Sequence, residues 1–271
     1  MATTTTPVVF IHGLWLHADS WSPWADLFRE HGYEPVAPGW PGDGGTVEET
    51  RSASERVAGH GIDAVVEEYA RAIELLARAW RQMPIVIGHS FGGLIVQRLL
   101  AENKAVAGVA LDPAPIKGVL YLPPSALRVA SVALRNPANR NRAVSLTREQ
   151  FRYGFGNAVS EQESDELYER WTIPSPGKPL FEAAVANFNP HSAAKIDTSN
   201  ADRGPLLLTA GGKDHTVPPT IVRATLKRQQ KSGAITELKE FPDRGHSLGI
   251  DSGWREVAET VLAWLGKQDL R

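Results

Sequence analysis

Pro84-Ile85-Val86-Ile87-Gly88-His89-Ser90-Phe91-Gly92-Gly93-Leu94-Ile95-Val96 runs from a short apolar stretch, through a serine flanked by glycines, into a second apolar stretch. The first stretch has the length of a strand and the second opens a helical pattern. Gly88, His89, Ser90, Phe91 and Gly92 match GxSxG, in which small residues let a strained strand-to-helix turn hold a serine hydroxyl clear of the backbone. So short a pattern arises by chance, and it occurs again as Gly245, His246, Ser247, Leu248 and Gly249. Context separates the two. Ser90 directly follows the strand pattern, whereas Ser247 follows Pro242, Asp243 and Arg244 and leads into Gly249 and Asp251, with no histidine downstream. Ser90 is the expected nucleophile.

Working outward, apolar runs bounded by turn residues alternate with helix-periodic stretches. Pro7 to Ile11 reads as a strand and Trp24 to His31 as a helix stopped by Gly32; Tyr33 to Ala37 is a strand ended by Pro38 and Gly39. Ile62, Val65, Val66, Tyr69, Ile73, Leu76 and Trp80 recur at helical spacing and are read as core. Leu94 to Leu100 is a helix pattern, and Val106 to Leu111 a strand ended by Asp112, Pro113 and Pro115. Strand patterns return at Pro205 to Ala210 and Ile235 to Phe241, before a closing helix from Trp254 to about Leu265. The alternation predicts an α/β fold with a mostly parallel sheet. It is interrupted once. From Lys117 to Arg152 there are seven basic residues and one acidic one, Glu161 to Glu169 is acidic, and aromatics are interspersed. The expected division is a core of residues 1–114 and 196–271 with a helical cap at 115–195.

Composition narrows the chemistry. The chain has 271 residues, 42% hydrophobic and 22% charged, as expected of a globular protein with a substantial core. With 29 Lys and Arg against 31 Asp and Glu, neither nucleic acid nor an anionic membrane is an expected partner. Cysteine is absent, which excludes thiolate nucleophiles, cysteine-bound zinc and iron–sulfur sites, so a covalent nucleophile must be an oxygen or a lysine. Met1 to Pro7 lacks the features of a signal peptide, and no apolar run approaches the roughly 20 residues of a spanning helix. A cytoplasmic location is expected.

A serine nucleophile needs a base, an acid and an oxyanion site. His246 lies just beyond the last strand pattern and follows Ser90 in the chain, as the order serine, acid, histidine requires. His17, His31, His60 and His215 take ordinary structural readings, and His191 stays open as a residue near the substrate. Asp214, in the turn Gly211-Gly212-Lys213-Asp214, is the expected acid; Asp112, one strand earlier, is its rival. Oxyanion donors are expected from the backbone N–H of Phe91 and from the loop His12-Gly13-Leu14-Trp15, with Leu14 ahead of Trp15.

With His12 and Gly13 after the first strand, Ser90 in its turn, and Asp214 and His246 in order, the sequence resembles the α/β-hydrolase superfamily along nearly its whole length, as an esterase or lipase-like member with a cap insertion. The resemblance implies helices on both faces of a sheet of about six strands, an active site at the carboxyl ends of the strands, and a cap after Leu111. Ser90 stands where the dehalogenases and epoxide hydrolases of this superfamily carry Asp, which argues against their activities. Plant hydroxynitrile lyases and methylesterases are similar around His12 to Trp24, but the lysine that the lyases carry after the catalytic histidine is Ser247 here. The expected activity is cleavage of a carboxylic ester or lactone through an acyl-enzyme on Ser90. Trp15, Phe151, Phe155, Trp171 and Phe181 are candidate lining for an apolar small-molecule site. Neither metal nor organic cofactor is implied. The alternatives are a cofactor-free peroxidase or perhydrolase or a carbon–carbon bond hydrolase with the same triad, and a non-catalytic ligand-binding protein of the same fold.

Overall fold

Val8, Val9, Phe10 and Ile11 are an unbroken apolar run, and all four are fully buried in strand β1 (Thr6–Ile11). Burial on both faces is what continuous rather than alternating hydrophobicity signifies in a strand. The computed structural model describes residues 5–121 and 123–270; Met1–Thr4 of the N-terminal stretch read above, Leu122 and Arg271 lie outside the described residues. After β1 come α1 (Ser22–Glu30), β2 (Tyr33–Val36), α2 (Val47–Ser52), α3 (Ile62–Trp80), β3 (Ile85–His89), α4 (Phe91–Ala101) and β4 (Ala107–Leu111). A long connection follows, carrying α5 (Pro124–Leu134), β5 (Ala143–Val144), α6 (Arg148–Gly154), α7 (Glu161–Trp171), β6 (Ser175–Pro176) and α8 (Lys178–Ala184). The chain then returns through β7 (Leu206–Gly211), α9 (Pro219–Gln229), β8 (Thr236–Phe241) and α10 (Trp254–Lys267).

Six strands form one parallel sheet in the order β2-β1-β3-β4-β7-β8, the α/β-hydrolase arrangement with helices on both faces expected from the sequence. Alternate residues of each strand face opposite ways. Val8, Phe10, Ile85, Ile87, Val109 and Leu207 pack with α1 and α10, while Val9, Ile11, Val86, Ala110, Leu206 and Leu208 pack with α3, α4 and α9. The order reverses at β1, whose two neighbours lie on opposite sides, so the crevice outside the carboxyl ends of β1 and β3 is the topological switch point. Register brings the chemistry-bearing loops to that crevice. Ile11 pairs with Gly88, His89 with Leu111, Leu111 with Thr209 and Gly211 with Phe241, so the residues that follow each strand end side by side.

The element boundaries differ from the sequence expectation at informative places. β3 continues through Gly88 and His89, and α4 begins at Phe91, leaving Ser90 as the whole turn. Helices α2 and α9 carry no apolar stripe that announces them: α2 buries only Thr50, and half of the buried positions of α9 are Thr225 and Gln229.

The long connection lies over the switch point. Leu16 bridges Thr172, the Trp15 carbonyl accepts from Ile173 N–H, and the Arg51 guanidinium donates to the carbonyls of Glu169 and Thr172 at the end of α7. The two-stranded antiparallel ladder β5–β6 sits within it.

Candidate active site

Ser90 has φ 56° and ψ −119°, a left-handed conformation that a residue with a side chain adopts only under constraint. The constraint is a set of backbone bonds: Ser90 N–H donates to Leu111 O, and its carbonyl accepts from Leu94 and Ala114 N–H. Close approach supplies the rest, since a Cβ at Gly92 would fall 2.1 Å from Ile11 O. Ser90 Oγ therefore stands at the head of α4, where the positive end of the helix favours negative charge. Among the described residues it has no hydrogen-bond partner.

His246 lies on the loop after β8 and is fully buried. Its Nδ1–H donates to Asp214 Oδ2 at 2.6 Å, which leaves Nε2 as the lone-pair nitrogen; Nε2 is buried without a partner among the described residues, Ser90 Oγ included. Asp214 hangs from the turn after β7, where its other oxygen accepts from Thr216 N–H at 2.7 Å and Val217 N–H at 2.8 Å. Burial alone would raise the Asp214 carboxyl, but the facing imidazole and the hydrogen bonds outweigh it and hold the group below its ordinary value. Asp214 is the carboxylate paired with the imidazole.

Asp112 stands beside this pair, wholly buried, with its backbone at φ 42°. Its Oδ1 accepts from Gly211 N–H at 3.0 Å and from the Thr209 hydroxyl at 3.3 Å, while Oδ2 has no conventional partner. Burial and the neighbouring Asp214 charge push it well above the usual carboxylate range. Polar side-chain atoms, one each from Asp112, Asp214 and His246, lie within 4.8 Å of one another.

The sequence reading passed over one close neighbour of His246, His89, which fills a variable position of GxSxG. Its Nε2–H donates to the main-chain carbonyl of His246 at 2.9 Å, and the two rings lie 4.5 Å apart. Burial, then the neighbouring imidazole, lowers it from the ordinary 6.5 to about 3, so it stays neutral and cannot place a second positive charge against His246.

The loop after β1 meets Ser90 closely enough that a Cβ at Gly13 would lie 2.8 Å from both Ser90 Cβ and His89 O. His12 is fixed from behind by Asp43 and by Trp40 N–H. The two donors weighed in this loop have different fates. Trp15 N–H is taken by Ser175 Oγ at 2.6 Å, whereas the N–H groups of Leu14 and Phe91 have no partner among the described residues. Ser175, on β6, carried no signal in the sequence.

Of the five aromatic candidates, three converge. Phe155 packs its ring 4.7 Å from His246, stacks on Phe151 and meets Trp15 edge-on, and the Trp15 indole N–H donates to Val144 O. Trp171 and Phe181 are outside this stack: Arg170 covers the first, and the second is half-buried on α8. His191 is exposed beside Asp63, Arg98 and Lys195. Ser247 Oγ donates to Asp251 at 2.9 Å, a structural bond that accounts for the second GxSxG match.

A profile of the alpha/beta hydrolase family matches residues 8–260. No curated protein matches the chain in sequence. Among solved structures, a monoacylglycerol lipase from Paleococcus ferrophilus is 22% identical, with 96% of this chain and 95% of that one covered and a TM-score of 0.67. A methylesterase from Arabidopsis is 15% identical, with 97% and 99% covered and a TM-score of 0.67. An extracellular alpha/beta-hydrolase from a Paenibacillus species is 20% identical, with 95% and 98% covered and a TM-score of 0.67. Those likenesses extend over the whole sheet and the connection above it, and together with the profile match they establish that the chain belongs to the alpha/beta hydrolase family.

Proposed function

We propose that this protein is a serine hydrolase that cleaves a carboxylic ester or lactone through an acyl-enzyme on Ser90. One arrangement carries the proposal: Ser90 is held at φ 56° at the head of α4, at the same sheet end where His246 and Asp214 are paired at 2.6 Å. His246 Nε2 takes the Ser90 proton as Oγ attacks the carbonyl carbon. The N–H groups of Leu14 and Phe91 hold the oxyanion, and Asp214 stabilises the imidazolium. Collapse breaks the carbon–oxygen bond to the leaving alcohol, which receives the proton from His246. Water then gives its proton to His246 and attacks the acyl carbon, and Ser90 recovers its proton as the acid departs.

In this proposal residues 115–195 act as a cap on a core of 1–114 and 196–271. Trp15, Phe151 and Phe155 form the apolar wall nearest the reacting carbon, with Trp171 and Phe181 farther out. A small-molecule ester is the expected partner and the cytoplasm the expected location; no described helix is long and apolar enough to cross a membrane. The test is treatment with a fluorophosphonate probe followed by intact-mass measurement and peptide mapping. Stoichiometric labelling at Ser90, lost in His246→Ala, supports the mechanism, and Ser90→Ala then lowers ester turnover by on the order of 10⁴-fold or more. Unchanged turnover in Ser90→Ala overturns it.

A further inference from the structure

We propose that Asp112 is a positioning residue held as a neutral acid, its carboxyl proton donated to Asp214, so that the two carboxyl groups share one negative charge facing His246. The proposal rests on the triad reading above and adds to it a group with no step of its own in that mechanism.

The geometry leaves little choice of charge. Asp112, Asp214 and His246 form one buried cluster, with one polar side-chain atom of each within 4.8 Å of the others. No Lys or Arg side chain reaches either carboxyl among the described residues; the titratable groups facing Asp112 are Asp214 and His246, with the neutral His89 tilted against the His246 ring beyond. Two carboxylates this close, without a fixed cation, cannot both be ionised. Asp214 accepts from His246 Nδ1–H and two backbone N–H groups, so the charge belongs there. Asp112 accepts through Oδ1 only, which leaves Oδ2 to carry the proton. From Oδ2, which no other group engages, the proton meets the Asp214 carboxylate, whose oxygen lies within 4.8 Å in the same buried cluster. Its donation fixes the Asp214 rotamer and draws charge away from the oxygen that faces His246, which tempers the pull of Asp214 on the imidazole proton.

Infrared spectroscopy of the unmodified protein at pH 7 reads the acid directly. The carbonyl stretch of a protonated carboxyl group is expected, moved by deuterium exchange, absent in Asp112→Asn and retained in Ser90→Ala. Its absence from the wild type overturns the proposal, whether or not Asp112→Asn folds. Retention in Ser90→Ala reads the acid pair even if probe labelling were to refute the serine mechanism. The acid limb of kcat/KM supplies the second readout. Asp112→Asn keeps a neutral donor and leaves the limb in place; Asp112→Ala removes the donor and moves it to higher pH. A downward movement in Asp112→Asn means that a negative charge was removed, and overturns the proposal.

Discussion

Gly13 and Ser90 meet where two parallel strand ends lie side by side, and a methyl group at Gly13 has nowhere to go without moving the serine turn. Gly13→Ala is expected to cost about 2 kcal/mol of stability by overpacking and, by shifting the Leu14 N–H, to lower kcat by about 10²-fold. Urea unfolding and steady-state kinetics on the same preparation check both; wild-type values in each would refute the role given to this loop. At this scale the sequence was legible wherever the signal was local. Ser90 and His246 declare themselves through the turn they occupy and their order in the chain. Leu14 against Trp15 could not be decided that way, because the choice is made by Ser175, 160 residues away. The proposal takes Asp214 over Asp112 as the acid because Asp214 receives the His246 N–H and two backbone donors, a matter of side-chain direction at two strand ends.

At the level of elements, the connection between β4 and β7 presses α6 and the residues after it onto the site, with Phe155 filling the space between His246, Phe151 and Trp15. Phe155→Ala leaves a cavity against the imidazole. It should destabilise the fold by about 3–5 kcal/mol and shift the preferred acyl group toward bulkier esters, as read by thermal unfolding and a chain-length series of esters. An unchanged ester profile with the expected loss of stability would assign Phe155 to packing alone. The core strands and α3 were readable because burial there imposes periodicity: β1 and β3 are continuous apolar runs, and α3 repeats Ile62, Val65, Val66, Tyr69 and Ile73 along its buried face. Helix α9 was not, because Thr225 Oγ1 and Gln229 Nε2 occupy buried positions and donate to Ile221 O and Gln97 Oε1. A buried polar residue with a distant partner looks in sequence like a surface one.

For the molecule as a whole, His89 sets a pH dependence. In the unfolded chain it takes up a proton near its ordinary value of 6.5, while in the folded protein it refuses one until about 3. Its contribution to stability is therefore complete above pH 6.5 and declines as pH falls toward 3, by at most about 1.4 kcal/mol per pH unit. His89→Gln, which keeps an N–H donor for His246 O but does not titrate, should flatten that slope; urea unfolding from pH 7 to 4 checks it, and parallel slopes for the two proteins would refute the assignment. The scattering of the site along the chain has a kinetic consequence. Its parts come from the ends of β1, β3, β4, β7 and β8, and the Trp15 end of the loop after β1 is bonded by Ser175 and Val144 from far along the chain. Each of these is a loop closure of high sequence separation, the kind of contact that forms slowly. A chain that ends before Ser175 lacks the bond that holds the Trp15 end of this loop, and on refolding, recovery of activity should coincide with the slowest conformational phase.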